Sequence, residues 1–416
     1  MLNAANALSS ESRCTLEVIT SSRALAELGP VWDRLVEQSG LTHPFVTHDW
    51  MRTWWECFGG DAELCIVLVR ADGEPIAIAP FMRTTERLYG RQVRCLRFLA
   101  NDPTPRCDFI VGARPDDAYA AIWKFLMSES ALWDIVMLRE LPAGSRTLKE
   151  LPVRAKQGGV LWGRWHSDDS PFIPMVSGWD RYMESLPTKH RSNLRNRFKR
   201  LSALGRIELE TISAEPDLAA ALEEGFSLEA AAWKGRVGSA IRCQPQEHRF
   251  YTLLAERAAA RGWLRLHFLK VDDRRVAFAY CLAYEKRMYL LKPGFDPAYA
   301  VYSPGNLLCH LFLQDAFASG FAAYDFLGGD DHWKRQWSTQ TLPHYWLFLF
   351  ADRPWSRLAH YAKFELFPVL QESSLYVRLR NRLFAPVTGI RVSRDRSRTP
   401  SSGSVRNPIQ PERPNE

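Results

Sequence analysis

Residues 291–337 read LKPGFDPAYAVYSPGNLLCHLFLQDAFASGFAAYDFLGGDDHWKRQW. The apolar run Met288–Leu291 leads into this stretch as a strand, and Pro293-Gly294 and Asp296-Pro297 end it in a turn. Tyr302-Ser303-Pro304-Gly305-Asn306 follows, then Leu307, Leu308, Leu311, Phe312 and Phe317 before Gly320. Ser303 suits an N-cap and Pro304 the first helical position, so a helix is predicted from Pro304 toward Gly320. The first N–H groups of that helix, from Gly305 and Asn306 onward, have no partner within it and carry its positive dipole end. They form an anion site, where Gly305 leaves room for a phosphate beside the backbone. A second short strand, Tyr324-Asp325-Phe326, closes the segment.

The same order recurs earlier in the chain. ELCIVLVRADGEPIAIAPF around Asp72 and LRLHFLKVDDRRVAFAYCL around Asp272 are each two β-rich runs joined by an acidic turn, the pattern of a hairpin. They align at an offset of 200 residues, with Ile76 matching Val276, Ala77 matching Ala277 and Ala79 matching Ala279. Each is followed by a helical pattern and a strand with an aromatic-Asp pair, Trp133-Asp134-Ile135 and Tyr324-Asp325-Phe326. The expectation is a tandem α/β repeat with a first module over 16–168 and a second over 171–352, divided where Pro171 and Pro174 interrupt the chain. In the first module Asn101-Asp102-Pro103-Thr104-Pro105 stands where the Ser-Pro-Gly loop is expected and has no glycine. That module is read as a non-catalytic partner of the second.

After the boundary, Ser177 and Thr188 are placed as helix caps, and Gly205 as the left-handed stop of the second helix. Leu194, Phe198 and Leu201 recur at helical spacing beside Lys189, Arg191, Arg195, Arg197, Lys199 and Arg200. This run reads either as solvated helix surface or as a phosphate-facing stripe. Residues 354–390 are expected to form amphipathic helices whose basic flanks allow peripheral membrane contact. Residues 391–416 carry six Arg against three acidic residues with few large apolar ones, and are expected to be disordered.

Composition narrows the class. The chain has 416 residues, 46% hydrophobic and 24% charged, as in globular proteins. Its apolar runs are strand-sized, and its N-terminus lacks a basic-then-apolar leader pattern. Eight scattered cysteines without a paired metal-like spacing fit reduced thiols in the cytoplasm, and no metal site is expected. The net charge of +7 is local, so DNA is not an expected partner.

Together, Trp233-Lys234-Gly235 with Gly238-Ser239, Ala277-Phe278-Ala279-Tyr280, Lys292-x-Gly294-x-Asp296, Tyr302-Ser303-Pro304-Gly305 and Tyr324-Asp325-Phe326-Leu327-Gly328-Gly329 leading to Trp333-Lys334 carry a resemblance. The second repeat resembles the catalytic half of the GNAT superfamily of N-acyltransferases. It is most similar to the CelD-type acetyltransferases associated with cellulose biosynthesis, which share their domain with Fem-type aminoacyltransferases. The resemblance implies tandem GNAT-like modules of the α/β (α+β) class, with mixed, mostly antiparallel sheets flanked by helices.

It also implies acyl transfer from acyl-CoA, a co-substrate and not a resident cofactor, to an amine on an amino sugar or on a polysaccharide or lipid precursor. Exopolysaccharide assembly is the implied setting. In the superfamily two neighbouring strands splay and admit the pantetheine arm. Here these would be Met288–Leu291 and Ala323–Leu327, so Leu290, Leu291, Ser303, Pro304, Gly305 and Asn306 are the expected donor-binding residues. The usual superfamily loop has more glycines than this one, which leaves aminoacyl-tRNA open as donor; the basic stripe would then track RNA. A non-enzymatic polysaccharide-assembly factor is the third reading. For acid–base work the cleft offers Asp325, Asp330, Asp331, His332 and Tyr302, with His332 expected nearest neutrality by residue type. Lys334 matches the lysine of the Fem-type Phe-Lys motif and is expected to face the cleft, since lysines are seldom buried. Trp233, Lys234, Arg191 and Arg195 are the expected acceptor-side residues.

Overall fold

The computed structural model describes residues 14–366, apart from 102, 103, 215, 232–237 and 330. The first half supplies β1 (Cys14–Ile19), β2 (Glu63–Ala71), β3 (Glu74–Leu88), β4 (Arg91–Phe98), β5 (Ile110–Val111), β6 (Ile135–Pro142) and β7 (Leu161–Pro174). The second half supplies β8 (Ile207–Ile212), β9 (Leu264–Val271), β10 (Arg274–Tyr284), β11 (Arg287–Phe295), β12 (Ala323–Asp325) and β13 (Thr341–Phe350). They join in one sheet ordered β1-β2-β3-β4-β6-β13-β7-β12-β11-β10-β9-β8, with β5 paired to β3. Among the described pairs, only β4–β6 and β11–β12 are parallel. The fold is therefore the expected mixed, mostly antiparallel α/β sheet flanked by helices.

The offset of the two hairpins survives in three dimensions. Asp72 and Asp272 both turn at φ 51°. Ala77 pairs with Val111 and Ala277 with Phe295, so the duplicated strands hold one register. The halves are not separate sheets, however. β13, expected within the second module, lies between β6 and β7 and pairs with both. β7 runs straight through the expected boundary, and its last residues, Phe172–Pro174, pair with β12. Pro171 does not interrupt it because proline loses only a donor. Its carbonyl still accepts from the Phe326 N–H at 3.0 Å.

One sheet face carries a core common to both halves, in which Trp50 of helix His48–Phe58 meets Phe250 of helix Pro245–Ala260 edge-on at 5.2 Å. Arg257 clasps the same helices together through Thr53 and Glu56, each at 2.6 Å. The opposite face buries two separate cores, one under each half.

Helix Thr188–Ser202 buries Leu194 and Leu201 and half-buries Phe198, as its periodicity predicts. Three end assignments are corrected. Gly178 and Pro187 occupy the cap positions expected of Ser177 and Thr188. Gly205 is not left-handed; it is small because a Cβ there would lie 2.4 Å from the Asp272 carboxylate. Helix Pro354–Tyr361 and a π-turn over Ala362–Leu366 follow β13. The rest of the expected C-terminal helices and the 391–416 tail lie outside the described residues. No described helix is long and apolar enough to cross a membrane.

Candidate active site

β11 and β12 pair only from Arg287–Ala323 to Tyr289–Asp325, and from Leu290 and Phe326 onward they part. At the same level β11 bulges: Tyr280 pairs with Lys292 and Cys281 with Leu290, leaving Leu291 as the extra residue. The expected splay is present, and the bulge turns Leu291 into it.

The splay opens a cleft of about 580 Å³, lined among others by Leu290, Leu291, Ser303, Pro304, Gly305, Asn306 and Lys334. All six expected donor-binding residues therefore meet in one cavity. Helix Pro304–Ala318 points its N-terminus into it. Two details depart from expectation. Ser303 sits at the cap position but in the left-handed region, φ 50°, and its hydroxyl makes no capping bond. The Asn306 N–H is already bonded to the Ser303 carbonyl at 3.0 Å, which leaves Gly305 as the open donor of that turn. A Cβ on Gly305 would meet only Phe295, at 4.0 Å, so the space beside its Cα is open.

Leu291, Leu327 and Gly328 also line a second cleft of about 520 Å³, so the two cavities share a wall. The second cleft lies between the halves. Its first-half wall includes Asn101, Thr104, Glu140 and Asp168, and its second-half wall Glu247, Tyr251 and Lys292. Lys292 pairs with Glu247 at 3.2 Å and lies 5.1 Å from the Tyr251 ring centre. Burial by itself would lower the Lys292 pKa, but Tyr251 and Glu247 more than reverse it, leaving a firmly cationic lysine. Burial pushes the Tyr251 hydroxyl up to about 12 against the pull of that cation. Glu140 accepts from Ser167 at 2.7 Å and from the Trp346 indole at 2.6 Å. Burial, with Asp168 nearby, still holds its carboxyl above the usual range.

The first half closes its own version of the splay. β3 pairs with β4 up to Phe98 and with β5 from Ile110, and the described residues between them, 100–101 and 104–109, lie off the sheet. They occupy the position of the single-residue bulge at Leu291. The excursion lays the Cys107 N–H on the Glu140 carbonyl at 3.0 Å and sends Arg106 to Asp325. The true counterpart of Ser303-Pro304 is Arg114-Pro115, not Asn101–Pro105. Arg114 is also left-handed, φ 46°, and Pro115 also opens its helix. Asp116 then stands where Gly305 does.

The candidate catalytic residues scatter. Asp325 is buried, bonded to Arg106 at 2.6 Å and accepting the Leu327 N–H at 2.9 Å; it anchors a turn and lines neither cleft. Lys334 is also buried, and its ammonium is saturated by the Leu327 carbonyl at 2.7 Å, the Gly329 carbonyl at 2.9 Å and Asp331 at 3.1 Å. It pins the left-handed Leu327-Gly328 turn that floors both clefts, rather than projecting a free charge. His332 is exposed and outside both clefts. Tyr302 turns away, its ring under the Arg200 guanidinium at 5.2 Å. Arg191 and Arg195 line a separate groove against helix Pro304–Ala318. Trp233, Lys234 and Asp330 lie outside the described residues.

Glu140, Asp168, Glu247 and Tyr251 were not among the expected site residues. The sequence traces of the second cleft were Asn101–Pro105, Leu291, Lys292 and Leu327-Gly328; Glu140, Asp168, Glu247 and Tyr251 left none, because pairing across the halves is what assembles them.

Residues 188–335 match the family model of the acetyltransferase (GNAT) domain. The GNAT match spans the splay, the bulge and the helix that frame the first cleft. Among solved structures the chain is similar to FemX, at 12% identity and TM-score 0.53, over 83% of this chain and 100% of that one. It also aligns with L-PGS from Bacillus licheniformis at 11% identity, TM-score 0.46, over 82% and 95% of the two chains. A tandem GNAT protein from the clavulanic acid biosynthesis pathway aligns at 10% identity, TM-score 0.41, over 80% and 98%. No curated protein matches the sequence.

Proposed function

We propose that the protein transfers an acyl group from acyl-CoA to an amine, with an amino sugar or a polysaccharide or lipid precursor as acceptor. The observation that carries the reading is the shared wall. A cleft ending at the open Gly305 N–H suits a phosphate-bearing donor, and it meets a charged inter-half cleft at Leu291, Leu327 and Gly328. The donor supplies the activated thioester. Its carbonyl would lie at the Leu291 bulge, where a backbone N–H facing the splay stabilises the developing oxyanion. The acceptor amine enters from the second cleft.

Glu140 is the group assigned to take the amine proton, since a carboxyl raised by burial is a better base near neutrality than an ordinary one. The C–N bond forms, the C–S bond breaks, and the thiolate leaves to be protonated. CelD-type chemistry in exopolysaccharide assembly is the setting we infer.

Calorimetric titration with acetyl-CoA tests the donor assignment: saturable binding is expected, and binding of aminoacyl-tRNA in its place would transfer the reading to that donor. Glu140→Gln should lower turnover by about 100-fold or more at unchanged donor affinity. Turnover near that of the wild type would remove Glu140 from the chemistry.

A further inference from the structure

A third cavity, of about 770 Å³, lies at the seam of the halves and shares no lining residue with the two clefts. It is the first half's counterpart of the donor cleft: Pro115 and Tyr119 line it as Pro304 and Leu308 line the other, four residues apart in each helix. Asp116, at the position of Gly305, argues against a phosphate at this helix start. The cationic and donor groups lie instead in the wall of the cavity.

Of these, Arg106 is neutralised by Asp325. The Asp108 carboxylate is occupied by the Thr147 hydroxyl at 2.5 Å and the Phe109 N–H at 2.8 Å. Arg287 is half-buried, and its guanidinium makes no hydrogen bond or ion pair among the described residues. His43 is 6% exposed, stacks on Phe45 at 5.5 Å, and neither ring nitrogen has a hydrogen-bond partner. Burial, reinforced by Arg106, keeps that ring neutral, so it offers one donor and one acceptor. One unmatched cation and one unsatisfied imidazole thus line the same cavity. Buried polar groups in native proteins are normally paired, and His43 lacks such a partner beside a half-buried cation.

We propose that this cavity binds a small molecule bearing an oxyanion, carboxylate or phosphate, with its charge on Arg287 and a hydrogen-bonding group on His43. The bound molecule would lie against Asp325, whose other oxygen holds the Leu327 N–H at the floor of both clefts.

The test uses the full chain, titrated calorimetrically with malonate and with inorganic phosphate, the two probes separating carboxylate from phosphate preference. Saturable binding of at least one probe, tighter than about 1 mM, is expected. Arg287→Gln should weaken it at least about tenfold, and Arg287→Lys should retain most of it. Since Arg287 has no partner to lose, both variants should melt with the wild type. Gly305→Glu, which removes only the anion position of the donor cleft, should leave the Arg287-dependent part of the isotherm unchanged. No binding of either probe, equal binding by Arg287→Gln, or loss of the Arg287-dependent binding in Gly305→Glu would each overturn the proposal.

Discussion

Replacing Lys334 with alanine separates two roles that its position permits. If the ammonium served a ligand phosphate, its loss would weaken binding and spare the fold. Its surroundings say otherwise: it is 7% exposed, and its donors are spent on the carbonyls of Leu327 and Gly329 and on Asp331. A hydrogen bond from a charged group contributes about 1.5–3 kcal/mol. The Asp331 pair adds little, because Asp331 is more than half exposed. With water entering at the cleft mouth and recovering part of the loss, Lys334→Ala should cost about 3 kcal/mol. Leu327, held left-handed at φ 53° at a cost of about 1–2 kcal/mol, can relax once the lysine is gone, which keeps the total loss at about 3 kcal/mol and not above it. At roughly 2–4 °C per kcal/mol for a domain of this size, the midpoint of thermal unfolding should fall by about 6–12 °C. Acetyl-CoA affinity should fall with it, because the turn floors both clefts. Lys334→Arg should recover only part, its planar fork not reproducing a point ammonium among three oxygens. Circular dichroism melts and calorimetric titration read both quantities. A melting midpoint within about 1 °C of wild type would refute the account of Lys334 as a structural pin.

Gly305→Glu should fold normally, given the open space beside that residue, and should abolish acyl-CoA binding by placing a carboxylate before the Gly305 N–H; an unchanged isotherm would move the phosphate elsewhere. Arg106→Ala should cost about 3–5 kcal/mol in urea unfolding, because it strands a buried Asp325, and the double variant Arg106→Ala/Asp325→Ala should recover part of that loss. Equal stability of the single variant and the wild type would show that the ion pair does not hold the seam. Asp108 gives a pH signature. Burial raises its carboxyl from 3.8 to about 6, so between those values the folded state keeps a proton that the unfolded chain releases. Stability from this group is therefore present below pH 4 and declines as pH rises toward 6, by up to about 3 kcal/mol. The stability difference between wild type and Asp108→Asn should fall across that window, and parallel curves would contradict the raised value.

Much of the fold was legible in the sequence because its causes are local. The Asp72 and Asp272 turns, the alternating apolar runs around them and the Ser303-Pro304-Gly305 helix start depend on backbone preferences over a few residues. They predicted the duplicated hairpins and the splayed strands, and the six residues expected at the splay line one cavity. Local rules also misled where a residue has two uses. Pro171 reads as a breaker, yet its carbonyl keeps β7 in the sheet. Lys334 reads as a surface cation, yet three oxygens from its own turn bury it.

What only the tertiary structure decided is how the halves complete each other. The exchange of β13 into the first half's sheet and the reach of Arg106 to Asp325 link positions some 200 residues apart. No short-range propensity encodes such contacts. They follow from which sheet edge each strand can satisfy and which buried charge each arginine can neutralise. The second cleft, with Glu140 facing across to Lys292, exists only because those non-local pairings are made.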